Sequence, residues 1–523
     1  MHSRFSIQVI VALFFFSLPT IVFADVQGTL DFTNVYYHVE GQKSMSFYPT
    51  NDVSYLHEAE IDFSQEAFGD YEAFGNILYR FTDDRIIDLK RWSFERINLG
   101  LSKEAQEILV GDFYSSFSEN SLDNALKGTK ISLGNEKSSR LFLVAGIDTT
   151  RWEDIWGTRR EDSAGRKYVW GARMENSLKD GKAKLNFNYG AARDDTAYVS
   201  SFYNPTLVNV LSADGEYIFN DYLTAIAEFA QSFIDEDTGS SQIKTKSDTS
   251  KKIVLELDFA DYTMNWLYSR IGNHFMTTGG FLTQGLETIN LDGTWFLPWR
   301  IKCNHYLYTD RDNISDTDWT STKQINPGVK FSMDLPLEIS WEIGSDVRKR
   351  YSSDKNVNER TNTYTTNIAR DFGIIYSTFG YTRTIVRNRV SPEQERTSDA
   401  YSLALDGTFT IKDISYSWNI EEFISHDDYR QDDKADLLLS TIAGLKVRFP
   451  SSLSFEAKMT IGDNNYYINE NDSYKTSYYF SVSRQLRDDL DLLFTYGRRS
   501  YNYLHGDDNY AETIIDGKLS YQF

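Results

Sequence analysis

The chain has 523 residues and a formal net charge of −22, with 54 Lys plus Arg against 76 Asp plus Glu. That balance excludes duplex nucleic acid as a main partner, because phosphate binding needs a basic face. A single Cys excludes a disulfide framework and any zinc site of clustered Cys, and a mean hydropathy of −0.47 excludes a helical membrane protein.

In chain order, the first expected element is an export signal. Residues 1–24 read MHSRFSIQVIVALFFFSLPTIVFA, with Arg4 as the positive start and an apolar run from Phe5 to Phe16. Val22-Phe23-Ala24 forms a small-x-small cleavage site, so the mature chain is expected to begin at Asp25. No later stretch approaches ~18 consecutive apolar residues, so any membrane crossing must use strands.

Strands are announced by alternation. Ile253, Leu255, Leu257 and Phe259 alternate with Val254, Glu256 and Asp258, and Tyr262, Met264, Trp266 and Tyr268 with Thr263 and Asn265. Leu337, Ile339, Trp341 and Ile343 alternate with Glu338, Ser340 and Glu342, and Leu453, Phe455, Ala457, Met459 and Ile461 with Ser454, Glu456 and Lys458. A period of two puts each set on its own face of a strand. In a transmembrane β-barrel the apolar set meets lipid and the charged set meets the lumen.

About 26 such segments (24–26) are expected, of the ~9–11 residues that span a bilayer when tilted. Their connections alternate between short and long. Lys179-Asp180-Gly181, Asp334-Leu335-Pro336, Lys412-Asp413 and Pro450-Ser451-Ser452 are short, whereas Thr149–Arg166, Ile234–Ser250, Arg348–Thr361 and Asp463–Asp472 are long. Barrels of the outer membrane keep short turns in the periplasm and longer loops outside. Pro327 is the one proline expected inside a strand, where it removes a ladder donor. The chain ends Thr513, Ile515, Gly517, Leu519, Tyr521, Phe523 at alternate positions.

These features together resemble the bacterial outer-membrane β-barrel, porin-like proteins included. The fold so implied is all-β, a single antiparallel up-and-down barrel over residues 25–523 without a separate plug domain. The resemblance implies residence in the Gram-negative outer membrane, contact with its lipids and lipopolysaccharide, and assembly by the barrel-assembly machinery through the terminal strand.

Candidate lumen-lining residues are Glu256, Asp258, Glu338, Glu342, Asp406 and Asp491 against Lys184, Lys446, Arg448 and Lys458. With acids ahead, a channel lined by them is expected to favour cations mildly. Basic residues near expected outer strand ends, Arg348, Lys349, Arg350, Arg387, Arg389, Arg498 and Arg499, are candidates for lipopolysaccharide phosphates. Trp266, Trp341 and Trp418 are expected to face lipid, as are Cys303 and His305.

The mature chain enters its first expected strand near Gln27, with no plug before it, so a lumen this wide is expected to be occupied, flattened or filled by a partner. The primary reading is a porin-like channel for small solutes or ions. A weaker resemblance is to the barrel of porin–cytochrome conduits, which implies a sheath around a periplasmic multihaem cytochrome. The chain carries no C-x-x-C-H, so no haem or other cofactor of its own is expected. The mature histidines, His38, His57, His274, His305, His426 and His505, show no catalytic spacing, and no enzymatic role is expected. Acidic clusters such as Asp235-Glu236-Asp237, Asp427-Asp428, Asp432-Asp433 and Asp507-Asp508 lack the spacing of a calcium loop and read as solvated loops.

Overall fold

The computed structural model describes residues 25–523 except 49–50, 67–69, 89–90, 136, 150, 153–154, 156–165, 179–180, 196–204, 237–243, 280–281, 315–319, 432–433, 466–471 and 504–507. The export signal, part of the Lys179-Asp180-Gly181 turn, His505, Asp237, Asp432-Asp433 and Asp507 lie outside the described residues.

Period-two alternation produces 26 strands, as the pattern implies. The first nine are β1 (Asp25–Gly41), β2 (Asp52–Glu66), β3 (Glu72–Thr82), β4 (Trp92–Lys103), β5 (Gln106–Ser116), β6 (Asp123–Gly134), β7 (Ser139–Asp148), β8 (Lys167–Leu178) and β9 (Ala183–Asp194). Then come β10 (Thr206–Asn220), β11 (Leu223–Glu236), β12 (Lys244–Phe259), β13 (Tyr262–Ile271), β14 (Glu287–Leu297), β15 (Ile301–Arg311), β16 (Thr322–Leu335), β17 (Ile339–Ser352) and β18 (Asn358–Asp371). The circuit finishes with β19 (Ile375–Asn388), β20 (Arg396–Ile411), β21 (Ile414–Tyr429), β22 (Lys434–Arg448), β23 (Leu453–Asn465), β24 (Ser473–Arg487), β25 (Leu490–Tyr503) and β26 (Tyr510–Gln522).

Each strand pairs antiparallel with its sequence neighbours, and β1 pairs with β26, so the sheet closes. A circular barrel of this strand number would be roughly 50 Å across. No helix among the described residues is long and apolar enough to cross a membrane. Connections at the end holding both termini run from two to five residues, while those at the other end reach 18 between β7 and β8. The short end is periplasmic by the rule for such barrels.

Registered partners share a face of the sheet, and this parity holds around the circuit apart from local shifts at Leu78/Tyr79, Ile218/Asn220 and Gln485/Arg487. One face carries Leu255, Trp266, Leu291 and Leu307 in register, with the Phe331 and Ile343 pair further along it, and it is the lipid face. Trp341 and Trp418 lie on it, as do Cys303 and His305. The opposite face, rich in Ser, Thr, Asn and charged residues, lines the lumen.

Two details tie sequence to closure. Pro327 pairs with Leu307 of β15, but the β16–β17 register skips from Ile325↔Lys349 to Gly328↔Asp346. The missing N–H interrupts the ladder on one side only. At the seam, Phe523 N–H donates to Gly28 O (3.0 Å) and Gly28 N–H donates to Phe523 O (2.9 Å). The Phe523 ring occupies the space a Cβ on Gly28 would need. Gly28→Val is therefore expected to cost about 1–3 kcal/mol by overpacking, read as a lower urea midpoint of the folded barrel.

Candidate functional site: the lumen and its inward hairpin

The lumen is not uniform, because one hairpin leaves the wall. β5 pairs with β4 only as far as Gly111↔Asn98, and β6 pairs with β7 only as far as Lys127↔Ile147. Gly111 has φ +126°, and any Cβ there would strike the Ile97 carbonyl, so this bend requires glycine. Beyond the bend, residues 112–126 form a hairpin that tips into the lumen.

Apolar burial holds the hairpin inside. Leu109, Phe113, Phe117, Leu122 and Leu126 form a buried cluster with Val144, Val169 and Ala192, lumen-face residues of β7, β8 and β9. Gly171 and Gly190 leave room for Leu122, which is fully buried. Polar contacts extend the seat across β10 to β12. The Ser118 and Ser212 hydroxyls lie 3.2 Å apart, Asn120 N–H donates to Glu228 Oε1 (3.2 Å), and Ser250 Oγ–H donates to Asn120 Oδ1 (2.9 Å). Lys252 pairs with Glu119.

A second element meets the first. The described part of the β13–β14 connection folds inward, burying Phe275 against Val208, Val210, Ala230, Ile234 and Ile271. Thr278 N–H (3.1 Å) and Oγ1–H (2.8 Å) both donate to Ser121 O at the hairpin tip. The sector from β5 to β14 is thus packed inside, with the chain's own segments where a plug would sit. The lumen face from β15 to β26 carries no buried apolar cluster among the described residues.

The break left in the wall is sealed by charge. The Asp112 carboxylate accepts Ile97 N–H (2.7 Å) and Trp152 Nε1–H (2.5 Å) and pairs with Lys127. The Lys127 side chain is only 4% exposed, and the Trp152 ring lies 5.5 Å from its ammonium. Beside this group Arg151 pairs with the buried Asp88 (2.7 Å).

Nine of the ten sequence-predicted lumen residues, Glu256, Asp258, Glu342, Asp406, Asp491, Lys184, Lys446, Arg448 and Lys458, have lumen parity. They are spread from β9 to β25, mostly in the periplasmic half, and form a dispersed girdle rather than one pocket. Several are ion-paired, with Lys184 to Glu216 at 2.8 Å, Lys446 to Glu456 at 3.4 Å and Lys330 to Glu342 at 2.6 Å. Glu338 is corrected. Leu337 and Glu338 adopt φ of +68° and +58° in the β16–β17 turn, and the strand begins only at Ile339.

The outer basic set also needs correction. Lys349, Arg387 and Arg498 lie on the lipid face, and Arg389 sits just past β19. Arg348, Arg350 and Arg499 lie on the lumen face instead, because successive residues of a strand alternate and a basic run cannot all point outward. Arg348 pairs with Glu359 at 3.1 Å, and Arg498 with Glu40 at 2.9 Å. In the adjacent β17–β18 turn, bonds from the Ser352 hydroxyl and Asn356 N–H hold the Asp354 carboxyl below the usual carboxylate range.

No family profile matches the sequence, and no curated protein matches it significantly. In fold the chain is similar to the translocation pore of the P pilus usher PapC (10% identity, 94% of this chain and 99% of that one, TM-score 0.39). It is also similar to the outer membrane transporter YddB from Escherichia coli (10% identity, 95% and 81%, TM-score 0.43). A third likeness is to OpdO from Pseudomonas aeruginosa (9% identity, 96% and 97%, TM-score 0.28). At these identities and TM-scores the likeness concerns general architecture and carries nothing about function.

Proposed function

We propose that the chain is an outer-membrane channel for small hydrophilic solutes or ions, with a mild preference for cations. One observation carries the reading: a closed wall whose lumen face is polar from β15 to β26 and is narrowed on the other side by its own hairpin. A plain barrel of this strand number would leave a lumen wide enough to leak periplasmic contents. The hairpin and the β13–β14 connection reduce that opening, and among the described residues no buried apolar cluster covers the polar sector from β15 to β26. They also occupy space that a protein filling the lumen would need, which favours a channel over a sheath. Transport rather than catalysis is the role proposed.

Cation preference follows from charge. Carboxylates outnumber cations at lumen parity, and rings of charge set ion selectivity. In a potassium chloride gradient across a planar bilayer, the reversal potential is expected to take the sign for K⁺. Neutralising Glu256, Asp258, Glu342 and Asp406 as amides is expected to move it toward zero. An anion-selective reversal potential in the unmodified protein would overturn the proposal.

A further inference from the structure

We infer that the outer face of β12 to β19 is a binding site for the phosphate groups of an outer-leaflet glycolipid. The register places cations side by side there. Lys251 pairs with Arg270, Arg270 with Glu287, Glu287 with Arg311, Arg311 with Lys323, and Lys323 with Tyr351. One step on, Lys349 pairs with Arg360 and Arg360 with Arg387. Four of these registered pairs set cation against cation at lipid parity.

Directly opposed like charges have Cβ atoms only ~4.5–5.5 Å apart and destabilise a sheet. A sheet that keeps four such pairs needs counter-charge from elsewhere. Among the described residues, no carboxylate forms an ion pair with Lys251, Arg270, Arg311, Lys323, Lys349 or Arg360. Glu287, the acid within the row, accepts a hydrogen bond from the Tyr268 hydroxyl at 3.2 Å. Arg360 donates to Asn362 Oδ1 (3.0 Å), and Arg387 is 3.7 Å from Glu395.

Shape and position agree with a lipid headgroup. A surface cavity of about 290 Å³ opens at the centre of the row, lined by Glu287, Thr309, Arg311, Ser321, Lys323 and Tyr351. Arg311 Nε–H donates to Ser321 Oγ (3.3 Å), which orients the guanidinium at the cavity. Toward the periplasm on the same face come Ile253, Tyr268, Ile289, Leu307, Ile325 and Val347. Cations at the extracellular ends of β13 and of β15 to β19, with Lys251 beside Arg270 at the same level of β12, lie above apolar residues of the wall and match a molecule with phosphates above acyl chains. The far rim is different: Asp399, His426, Asp428 and Asp463 hold lipid-parity positions near the outer ends of β20 to β23. The site is therefore one sector, not a belt.

The test uses the full folded barrel in detergent, titrated with bisphosphorylated lipid A and followed by native mass spectrometry. The unmodified protein is expected to bind it at least tenfold more tightly than lipid A stripped of both phosphates. The triple variant Arg311→Ser, Lys323→Ser, Lys349→Ser is expected to lose at least tenfold in affinity, while Arg350→Ser, Arg499→Ser on the lumen face retains it. Inorganic phosphate at the same concentration is expected to compete weakly, since it lacks the acyl chains. Equal binding of the two lipid A forms by unmodified protein overturns the inference, and that arm does not depend on any variant folding. Full competition by inorganic phosphate assigns the cavity to a free anion and equally overturns the lipid reading.

Discussion

Replacing residues 117–122 by an Asn-Gly turn is expected to raise single-channel conductance by about twofold or more. The segment is seated on the lumen faces of β8 to β12, so its removal enlarges the narrowed cross-section without touching the closing pairs of β1 and β26. Asn-Gly suits a two-residue hairpin because both central positions take positive φ. Heat-modifiable mobility on a gel is the control that the barrel still closes. Unchanged conductance in a folded variant would show that the hairpin lies outside the conducting path. Locking the tip with Ser121→Cys and Thr278→Cys, in a Cys303→Ser background, distinguishes a fixed constriction from a moving gate. A fixed constriction predicts the same conductance in the oxidised and reduced states.

The second large effect is expected at the break in the wall. Lys127→Met is expected to destabilise the protein by about 3–5 kcal/mol, because it leaves the Asp112 charge without its cation in a largely enclosed site. Asp112 also holds the Ile97 N–H and the Trp152 indole, so the damage should spread to the loops that seal the break. Urea unfolding followed by tryptophan fluorescence reads the cost. Pairing Lys127→Met with Asp112→Asn should recover part of it, since the second change removes the stranded charge. A loss under about 1 kcal/mol in the single variant would mean the group is solvated and the seal rests on other contacts.

The barrel was legible in the sequence because its physics is local. Alternation such as Ile253, Leu255, Leu257 declares a face, and short turns such as Lys412-Asp413 declare an end. The inward hairpin was not legible, because leaving the wall is a question of pairing between distant strands. Its traces were present as Gly111 and Gly128 inside strand patterns and as Asp112 and Lys127 at positions of lipid parity. A charge there signals either a functional site or a strand that is no longer facing lipid. Glu338 was misplaced because the apolar Leu337 extended the alternation into a left-handed turn. In the basic run Arg348-Lys349-Arg350, strand parity keeps Lys349 on the lipid face and turns Arg348 and Arg350 to the lumen, a split that residue type alone does not reveal. The cation row of β12 to β19 draws on six strands in addition to β17, and register alone reveals it.

The central claim is that this barrel conducts through its own lumen. Single-channel recording of the purified chain, reconstituted alone in a planar lipid bilayer, tests it most directly. Stable, ohmic conductance steps with cation preference are the predicted result. A barrel that is folded by heat-modifiable mobility yet passes no current would contradict the account, and would return attention to a lumen that needs a partner to function.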